Sequence, residues 1–338
     1  MTDYSNGRAA WKKREVRRRG RELLSVFIVI VLVFAILNGL VKTFSIKKYL
    51  GRSTWDSKSS FVAVLGTNPP AVFVFQKEPK RIAVFRLDAN KYYYSGNSDE
   101  PLVKLSSVVD KKETSEFVKI LSLSFGADIK NYVLFNNQNL DQWAVEESFK
   151  NFASITTPIK LLMGKTSGDI MDTNIARSDL IKLWWQSKSI GINKIEIVDL
   201  TPFSQEVVTN NNRKVLGVDD ASLHFKISPY LENHSLGEDE LKVVLENASG
   251  VVAASNFASQ IVASIGFTVA TINSSDNQIA KTKIVTTDED SYAANYLANI
   301  FDGDIVFVPN SDPGQFKQSE AKEIKVIIGK DFTGKYFR

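Results

Sequence analysis

Apolar residues are most concentrated near the start of this chain. Residues 23–41 read LLSVFIVIVLVFAILNGLV, nineteen residues without a charge. As a helix rising 1.5 Å per residue, this block is about 28 Å long, close to the roughly 30 Å of a bilayer core. A buried core helix is the alternative, but such helices seldom run so far without a charged residue. The pattern predicts a membrane-spanning helix.

Basic residues lie mostly before this block. Residues 1–56 carry 12 Lys and Arg against 4 Asp and Glu, and the basic residues cluster within 1–22. The positive-inside rule places this tail in the cytoplasm and the chain after about residue 45 outside. A cleaved signal peptide is the competing interpretation, but it needs a shorter apolar core and a small-x-small cleavage site. Asn38, Gly39 and Lys42 make a poor site, so we favour an uncleaved single-pass anchor.

Short apolar runs alternate with amphipathic stretches beyond a polar spacer at 42–60. Predicted strands cover 61–65, 71–75, 82–85, the end of 127–135, and 195–198. Helical spacing of apolar residues predicts helices over 115–124, 139–152 and 175–189. This alternation predicts a layered α/β domain over 61–200. Residues 201–238 then form a connector with some structure of its own.

The last part of the chain has the clearest pattern. Predicted strands cover 241–245, 267–272, 283–286, 305–308 and 324–328, with helices over 252–265 and 291–300. Gly266 fits a helix C-cap, and the acidic residues at 288–290 suit a helix N-terminus. The order β-α-β-β-α-β-β predicts a small α/β domain over 239–332.

Composition excludes several kinds of site. The chain has no cysteine and only two histidines, which excludes disulfides, thiolate metal sites and histidine-rich metal centres. Residues 57–338 carry 30 Lys and Arg against 34 Asp and Glu, so this part is mildly acidic. That balance argues against a nucleic-acid partner.

Three segments near the C-terminus carry a family resemblance. They are VVLENASGVVAASNFASQI at 243–261, IGFTVATINSS at 265–275 and VIIGKDF at 326–332. In order and spacing they resemble the C-terminal domain of the LytR-CpsA-Psr family. Ala248 stands where that family's turn has glycine.

The central region resembles, more weakly, the catalytic domain of the same family. The matching segments are residues 61–93, 127–143 and 168–188. This resemblance implies a membrane-anchored, extracytoplasmic phosphotransferase. Such an enzyme attaches glycopolymers from polyprenyl-pyrophosphate carriers to the cell wall, with a divalent metal such as magnesium.

The residues that this chemistry needs are sparse. Arginines bind pyrophosphate well because their forked donors match phosphate oxygens. Beyond residue 60 there are five, at positions 81, 86, 177, 213 and 338. The family's Pro-Arg-Asp segment reads Phe-Arg-Leu-Asp at 85–88. Arg86 and Asp88 are two positions apart on a predicted strand, so they can face the same side.

The resemblance offers weak catalytic candidates only: Arg86, Asp88, Asp169 and Arg177. Asp88 and Asp169 are also the weak metal candidates. Asp169 matches a family Gly-Asp motif, but no arginine follows it where one is expected. Arg177 alone stands for the arginines that follow in the family.

We therefore expect a divergent relative that keeps the scaffold without the active centre and needs no cofactor. It would be a binding or scaffold protein of cell-wall glycopolymer assembly, with the bilayer, glycopolymer, polyprenyl-linked precursors or envelope proteins as partners. An active phosphotransferase, with magnesium, is the alternative. A deep apolar channel with Arg86 and Arg177 at its mouth would favour the enzyme. Of Trp184 and Trp185, at least one is expected in the core.

Overall fold

A computed structural model describes residues 50–110, 113–162, 170–236, 242–308 and 323–337. The chain forms two compact units, Met1–Arg52 and Ser53–Arg338. Only residues 50–52 of the first unit fall within the described ranges. In those ranges no helix combines the length and apolar character needed to cross a bilayer. The span expected at 23–41 lies outside them.

A six-stranded mixed sheet organises the central region, residues 53–236. Its strands are β1 (Phe61–Asn68), β2 (Ala71–Gln76), β3 (Arg81–Arg86), β6 (Asn131–Asn139), β7 (Ile170–Thr173) and β8 (Ile195–Asp199). Their spatial order is β7-β6-β1-β2-β3-β8. The first three strands form an antiparallel meander, while β6 and β8 add in parallel to β1 and β3.

Within the described part of this region there are also a smaller four-stranded sheet and six α-helices. The strands are β4 (Tyr92–Tyr94), β5 (Leu102–Lys104), β9 (Ser204–Val208) and β10 (Lys214–Val218), in the order β5-β4-β10-β9. The helices are α1 (Leu105–Asp110), α2 (Thr114–Phe125), α3 (Gln142–Phe152), α4 (Thr157–Leu162), α5 (Arg177–Ser187) and α6 (Asp220–Leu231).

The two faces of the six-stranded sheet bury different side chains, because alternate residues of a strand point to opposite sides. Val64, Val72 and Phe85 pack with α2 and α6, where Leu223 and Ile227 are fully buried. Phe61, Ala63 and Val84 face the other way, toward α3, α4 and α5.

The C-terminal region, residues 242–337, has its own five-stranded sheet. Its strands are β11 (Lys242–Asn247), β12 (Thr268–Ser274), β13 (Lys283–Thr286), β14 (Asp304–Phe307) and β15 (Glu323–Ile328), in the order β12-β11-β15-β13-β14. The helices are α7 (Val252–Ser264), α8 (Tyr292–Phe301) and α9 (Lys330–Tyr336). Alternate residues of β11 and β15 are buried and pack with residues of these helices in a single hydrophobic core.

The mixed α/β class expected from the sequence is confirmed, and the C-terminal elements follow the predicted order with α9 added. Gly266 adopts a φ of +101° directly after α7, as its C-cap position requires. Residues 201–238 are more than the connector we expected. Within them β9 and β10 form a hairpin, and α6 packs into the core of the central region.

Candidate functional site

An apolar cavity of about 800 Å³ lies between one face of the six-stranded sheet and helices α3, α4 and α5. Alternate residues of β1, namely Phe61, Ala63 and Leu65, form part of its wall. Val84 and Val133 extend that wall across neighbouring strands. Protein interiors are normally packed to crystal-like density, so a space of this size is a candidate binding site.

Two helices close the opposite side of the cavity with residues at helical spacing. From α3 come Ala144, Ser148 and Phe152, and from α5 come Leu180 and Leu183. Residues three or four apart share one side of a helix, so both helices turn one face to the cavity and the other to solvent. The cavity therefore has a continuous, largely hydrocarbon lining.

The polar lining residues include a group from the end of α3 and from α4. Asn151, Ser154, Thr157 and Lys160 all line the cavity there. The hydroxyl of Thr157 donates to the carbonyl of Asn151 at 3.1 Å. Among the described lining residues, Lys160 is the only one with a charge. The arrangement suits an apolar molecule that carries a small polar or anionic end.

Arg86 ends β3 and lies in a row of paired residues that leads to the cavity. It pairs with Ala71 of β2, and Ala71 pairs with Leu65 of β1, which lines the cavity. Directly paired residues point to the same face of a sheet. Two strand spacings of about 4.8 Å place Arg86 about 10 Å from Leu65 along this row. Arg86 thus lies on the cavity face of the sheet but does not line the cavity.

The guanidinium of Arg86 is held by Asp199, not by Asp88. Its Nη2 lies 3.3 Å from Oδ2 of Asp199, while its Nε is buried without a hydrogen-bond partner among the described residues. Burial raises the pKa of Asp199, but hydrogen bonds from Thr201 and the charge of Arg86 outweigh it and hold that pKa below its usual value. Asp199 is therefore an ionised partner.

The other candidates from the sequence are scattered. Asp88 accepts a hydrogen bond of 2.9 Å from the backbone N–H of Asn90, so it acts as a turn residue. Arg177 begins α5, after β7, which is four strand positions or about 19 Å from β3. Arg177 does not line the cavity. Asp169 lies outside the described residues.

The described residues do not fit a divalent cation. No group of three or more aspartates, glutamates or histidines in these ranges is placed to hold one. Asp88 is engaged with the backbone and Asp199 with Arg86.

Sequence reasoning did not find Asp179, which is 1% exposed in α5. Its carboxylate accepts hydrogen bonds from the hydroxyl of Ser53 and, at 3.0 Å, from the backbone N–H of Thr54. Lys182, one turn later, donates to the hydroxyl of Ser53 at 2.6 Å. The start of the second unit is therefore fastened to the helix that closes the cavity. No local pattern signals this contact, because its partners are more than 120 positions apart.

Comparison with known proteins by sequence matches the last part of the chain to a family. Residues 240–332 match the family described as LytR cell envelope-related transcriptional attenuator. No protein of the curated collection matches the chain.

Several solved structures are similar to about half of this chain at low identity. A transcriptional regulator from Enterococcus faecalis is 12% identical, with a TM-score of 0.41 over 53% of this chain and 91% of its own. TagV of B. subtilis is 11% identical, with a TM-score of 0.40 over 52% and 98%. The LytR-CPS2A-psr family protein YwtF (TagT), with bound octaprenyl pyrophosphate lipid, is 12% identical, with a TM-score of 0.36 over 52% and 92%.

The match over 240–332 covers the three segments that carried the resemblance in the sequence, and it begins one residue after the boundary expected at 239. These segments form most of β11 and α7, all of β12, and the end of β15 with the start of α9. The expected resemblance is therefore confirmed, and the C-terminal region matches the LytR C-terminal family.

Proposed function

We propose that this protein is a membrane-anchored, extracytoplasmic envelope protein that binds the hydrocarbon chain of a lipid carrier without reacting with its head group. In this proposal residues 23–41 anchor the chain and leave its N-terminus in the cytoplasm. The protein then serves cell-wall glycopolymer assembly as a binding or scaffold component. The observation that carries the proposal is the apolar cavity of about 800 Å³.

The size and lining of the cavity support an acyl or polyprenyl chain as ligand. Small-molecule sites in proteins are usually about 300–1,000 Å³ and predominantly apolar. Each methylene group buried there contributes about 0.8 kcal/mol, so a chain of several prenyl units gains binding energy from hydrocarbon alone. Lys160 offers one cation for a phosphate.

The scarcity of arginines near the cavity supports a non-catalytic role. Phosphoryl transfer needs several cations around the charge that develops in the transition state. Arg86 is neutralised by Asp199, and Arg177 follows a strand four positions away in the sheet. Among the described residues, Lys160 and the paired Arg86 are the cations at or near the cavity, and they bind a phosphate weakly and stabilise little developing charge.

An active phosphotransferase is the second candidate function, and the observation that favours it is the side-chain Nε atom of Arg86. The Nε of Arg86 is buried on the cavity face without a partner among the described residues. A buried donor of this kind costs free energy unless a ligand satisfies it. A phosphate oxygen beside Arg86, at the end of the row of paired residues Leu65, Ala71 and Arg86, would accept this hydrogen bond.

A binding experiment separates the two candidates. The full chain in lipid nanodiscs is titrated with a fluorescent polyprenyl pyrophosphate and with the matching polyprenol, each with and without magnesium. Ala144→Trp fills the cavity, and Ala263→Trp, on an exposed position of α7, is the matched control. We expect both ligands to bind within about threefold of each other, and Ala144→Trp alone to weaken both by at least about tenfold.

The effect of Arg86→Gln on pyrophosphate binding distinguishes a binding protein from a phosphotransferase. Under the binding proposal, Arg86→Gln changes the affinity for the pyrophosphate by less than about threefold. Magnesium-dependent binding that is lost in Arg86→Gln supports the transferase. Equal binding by Ala144→Trp and Ala263→Trp would show that the cavity is not the site.

A further inference from the structure

The outer side of the helices that close the cavity carries large apolar residues. Ile155 is 77% exposed, Ile159 in α4 is 60% exposed and Trp185 in α5 is 67% exposed. Their neighbours Thr157, Leu161 and Leu183 point inward and line the cavity. Helices α4 and α5 therefore present apolar side chains to both sides.

Trp184 links the turn that contains Ile155 to the helix that contains Trp185. The indole N–H of Trp184 donates to the carbonyl of Ser154 at 2.8 Å, and its ring lies 6.1 Å from that of Trp185. Lys188 places its Nζ 4.0 Å from the centre of the Trp184 ring and 5.5 Å from that of Trp185. We call the exposed group Ile155, Ile159, Trp185 and Lys188 the tryptophan patch.

The chemistry of the tryptophan patch matches a bilayer interface. Tryptophan prefers the headgroup level of a membrane, where its ring is apolar and its N–H is hydrated. Isoleucines extend the apolar area, and a lysine beside them is attracted to anionic headgroups.

The path of the chain adds an independent argument. Ser53 and Thr54 are bound to Asp179 on α5, and Lys182 of the same helix donates to the hydroxyl of Ser53. Trp185 follows Lys182 by three positions, so the patch begins within one turn of this attachment. Only residues 42–52 separate the predicted membrane span from Ser53, a stretch that reaches at most about 40 Å.

We propose that the tryptophan patch docks on the outer leaflet of the bilayer, with anionic phospholipid headgroups as its ligand. Ile155, Ile159 and Trp185 enter the headgroup region, and Lys188 pairs with lipid phosphates. The proposal rests on the predicted anchor but not on what fills the cavity, because docking uses the outward side chains of the same helices.

The absence of cysteine in the chain gives a direct test. Ile159→Cys and Phe225→Cys are labelled with the same fluorophore in the full chain, reconstituted in nanodiscs of phosphatidylcholine and phosphatidylglycerol. Phe225 is 74% exposed on α6, which packs on the opposite face of the six-stranded sheet, so it is a matched control. Both substitutions are at exposed positions and leave the core intact.

Quenching by spin-labelled lipids is then compared at the two positions. We expect the label at 159 to be quenched at least about threefold more than the label at 225. Lys188→Gln, or nanodiscs of phosphatidylcholine alone, lowers this difference, because a lysine near an anionic surface contributes up to about fivefold in binding. Adding Ala144→Trp leaves it unchanged, which separates docking from cavity binding.

Two results would overturn the proposal. Equal quenching at the two positions means that the tryptophan patch is not directed to the lipid in preference to the α6 face. A label at 159 that is shielded from aqueous iodide yet unquenched by lipid means that a protein, such as a second copy of this chain, covers the patch.

Discussion

Tyr336, in the last helix of the chain, donates a hydrogen bond of 2.5 Å to Oδ1 of Asp128 in the central region. Lys130 and Lys335 lie 3.3 Å and 2.9 Å from the same carboxylate, which is 5% exposed. Burial raises the pKa of Asp128, but the two lysine charges and the Tyr336 hydroxyl outweigh it and hold that pKa below its usual value. One ionised carboxylate thus joins residues from both regions.

Replacing this carboxylate should weaken the fold. We expect Asp128→Asn to lower the free energy of unfolding at pH 7 by about 1–3 kcal/mol, since it leaves two lysines without their buried partner. The folded pKa of Asp128 is depressed, so its contribution is present above the unfolded value of 3.8 and is lost as the pH falls through the lower folded value. Urea unfolding at pH 7 and pH 3 measures both effects.

Asp304→Asn is the control, because Asp304 forms an ion pair with Lys281 at the surface, where both side chains are more than half exposed. Such pairs contribute about 0–1 kcal/mol. If the two variants unfold at the same urea concentration at pH 7, Asp128 does not join the two regions in the way described.

Gly96 lies at the same contact between the central and C-terminal regions, where its lack of a side chain allows Tyr336 to approach closely. It has a φ of +71°, and a Cβ added there would lie 2.1 Å from the carbonyl oxygen of Tyr336. Gly96→Ala should therefore cost about 2–4 kcal/mol in unfolding free energy, from backbone strain and displacement of α9.

Gly334, within α9, is the matched position for this test. A Cβ there meets no atom within 4 Å, so Gly334→Ala should stabilise the protein by about 0.5–1 kcal/mol. Thermal unfolding of the two variants should shift in opposite directions. A shift of the same sign in both would contradict the close approach of Gly96 to Tyr336.

The helices and strands that could be predicted from the sequence are those whose apolar and polar residues follow a clear local pattern. The meander β1–β3 consists of short, continuous apolar runs, typical of strands buried on both faces, and α7 carries small and apolar residues at helical spacing. Helix α6 was missed because Pro229 is unfavourable inside a helix and His224 interrupts the apolar face, which still buries Leu223 and Ile227 against the sheet. Its helical state is stabilised by tertiary packing more than by local propensity.

The cavity could not be predicted in the same way. Its lining residues, such as Leu65, Val133 and Phe149, have the same pattern as residues of a filled core. Whether the sheet and the helices meet or leave a space depends on their separation, which a one-dimensional pattern does not contain. The sequence did predict that Trp184 or Trp185 is buried, and Trp184 is.

The attachment of Ser53 and Thr54 to α5 gives a third prediction. Asp179→Ala removes an acceptor of both residues, so we expect the free energy of unfolding to fall by about 1–3 kcal/mol. We also expect trypsin to cleave after Lys58 much faster, because the segment before β1 is no longer held. Gel analysis of a digestion time course measures this rate.

Asp172→Ala is the control for proteolysis. Asp172 is an exposed residue of β7 that accepts a hydrogen bond of 3.0 Å from Tyr132. Its loss should leave cleavage after Lys58 unchanged. Equal cleavage rates in the two variants would mean that Asp179 does not hold the segment.

Asp220, in the first turn of α6, should make the fold less stable as the pH rises. Its Oδ1 is buried with no hydrogen-bond partner among the described residues. Burial raises the pKa of Asp220 to about 6, the charge of Asp219 adds to this, and the nearby Ser124 hydroxyl opposes it. The folded pKa therefore exceeds the unfolded value of 3.8. The stabilising effect of the protonated carboxyl is full below pH 4 and is lost as the pH rises through 6.

Asp220→Asn should remove this loss. A difference of about two pKa units corresponds to at most about 3 kcal/mol, so we expect the variant to exceed the natural chain by about 1–3 kcal/mol at pH 7 and to equal it at pH 4. Asp219→Asn is the control, since Asn also caps a helix and the pKa of Asp219 is lowered, chiefly by Ser222. Chemical unfolding at four pH values between 4 and 7 gives the curves. Parallel curves for Asp220→Asn and the natural chain would show that Asp220 is not the source of the pH dependence.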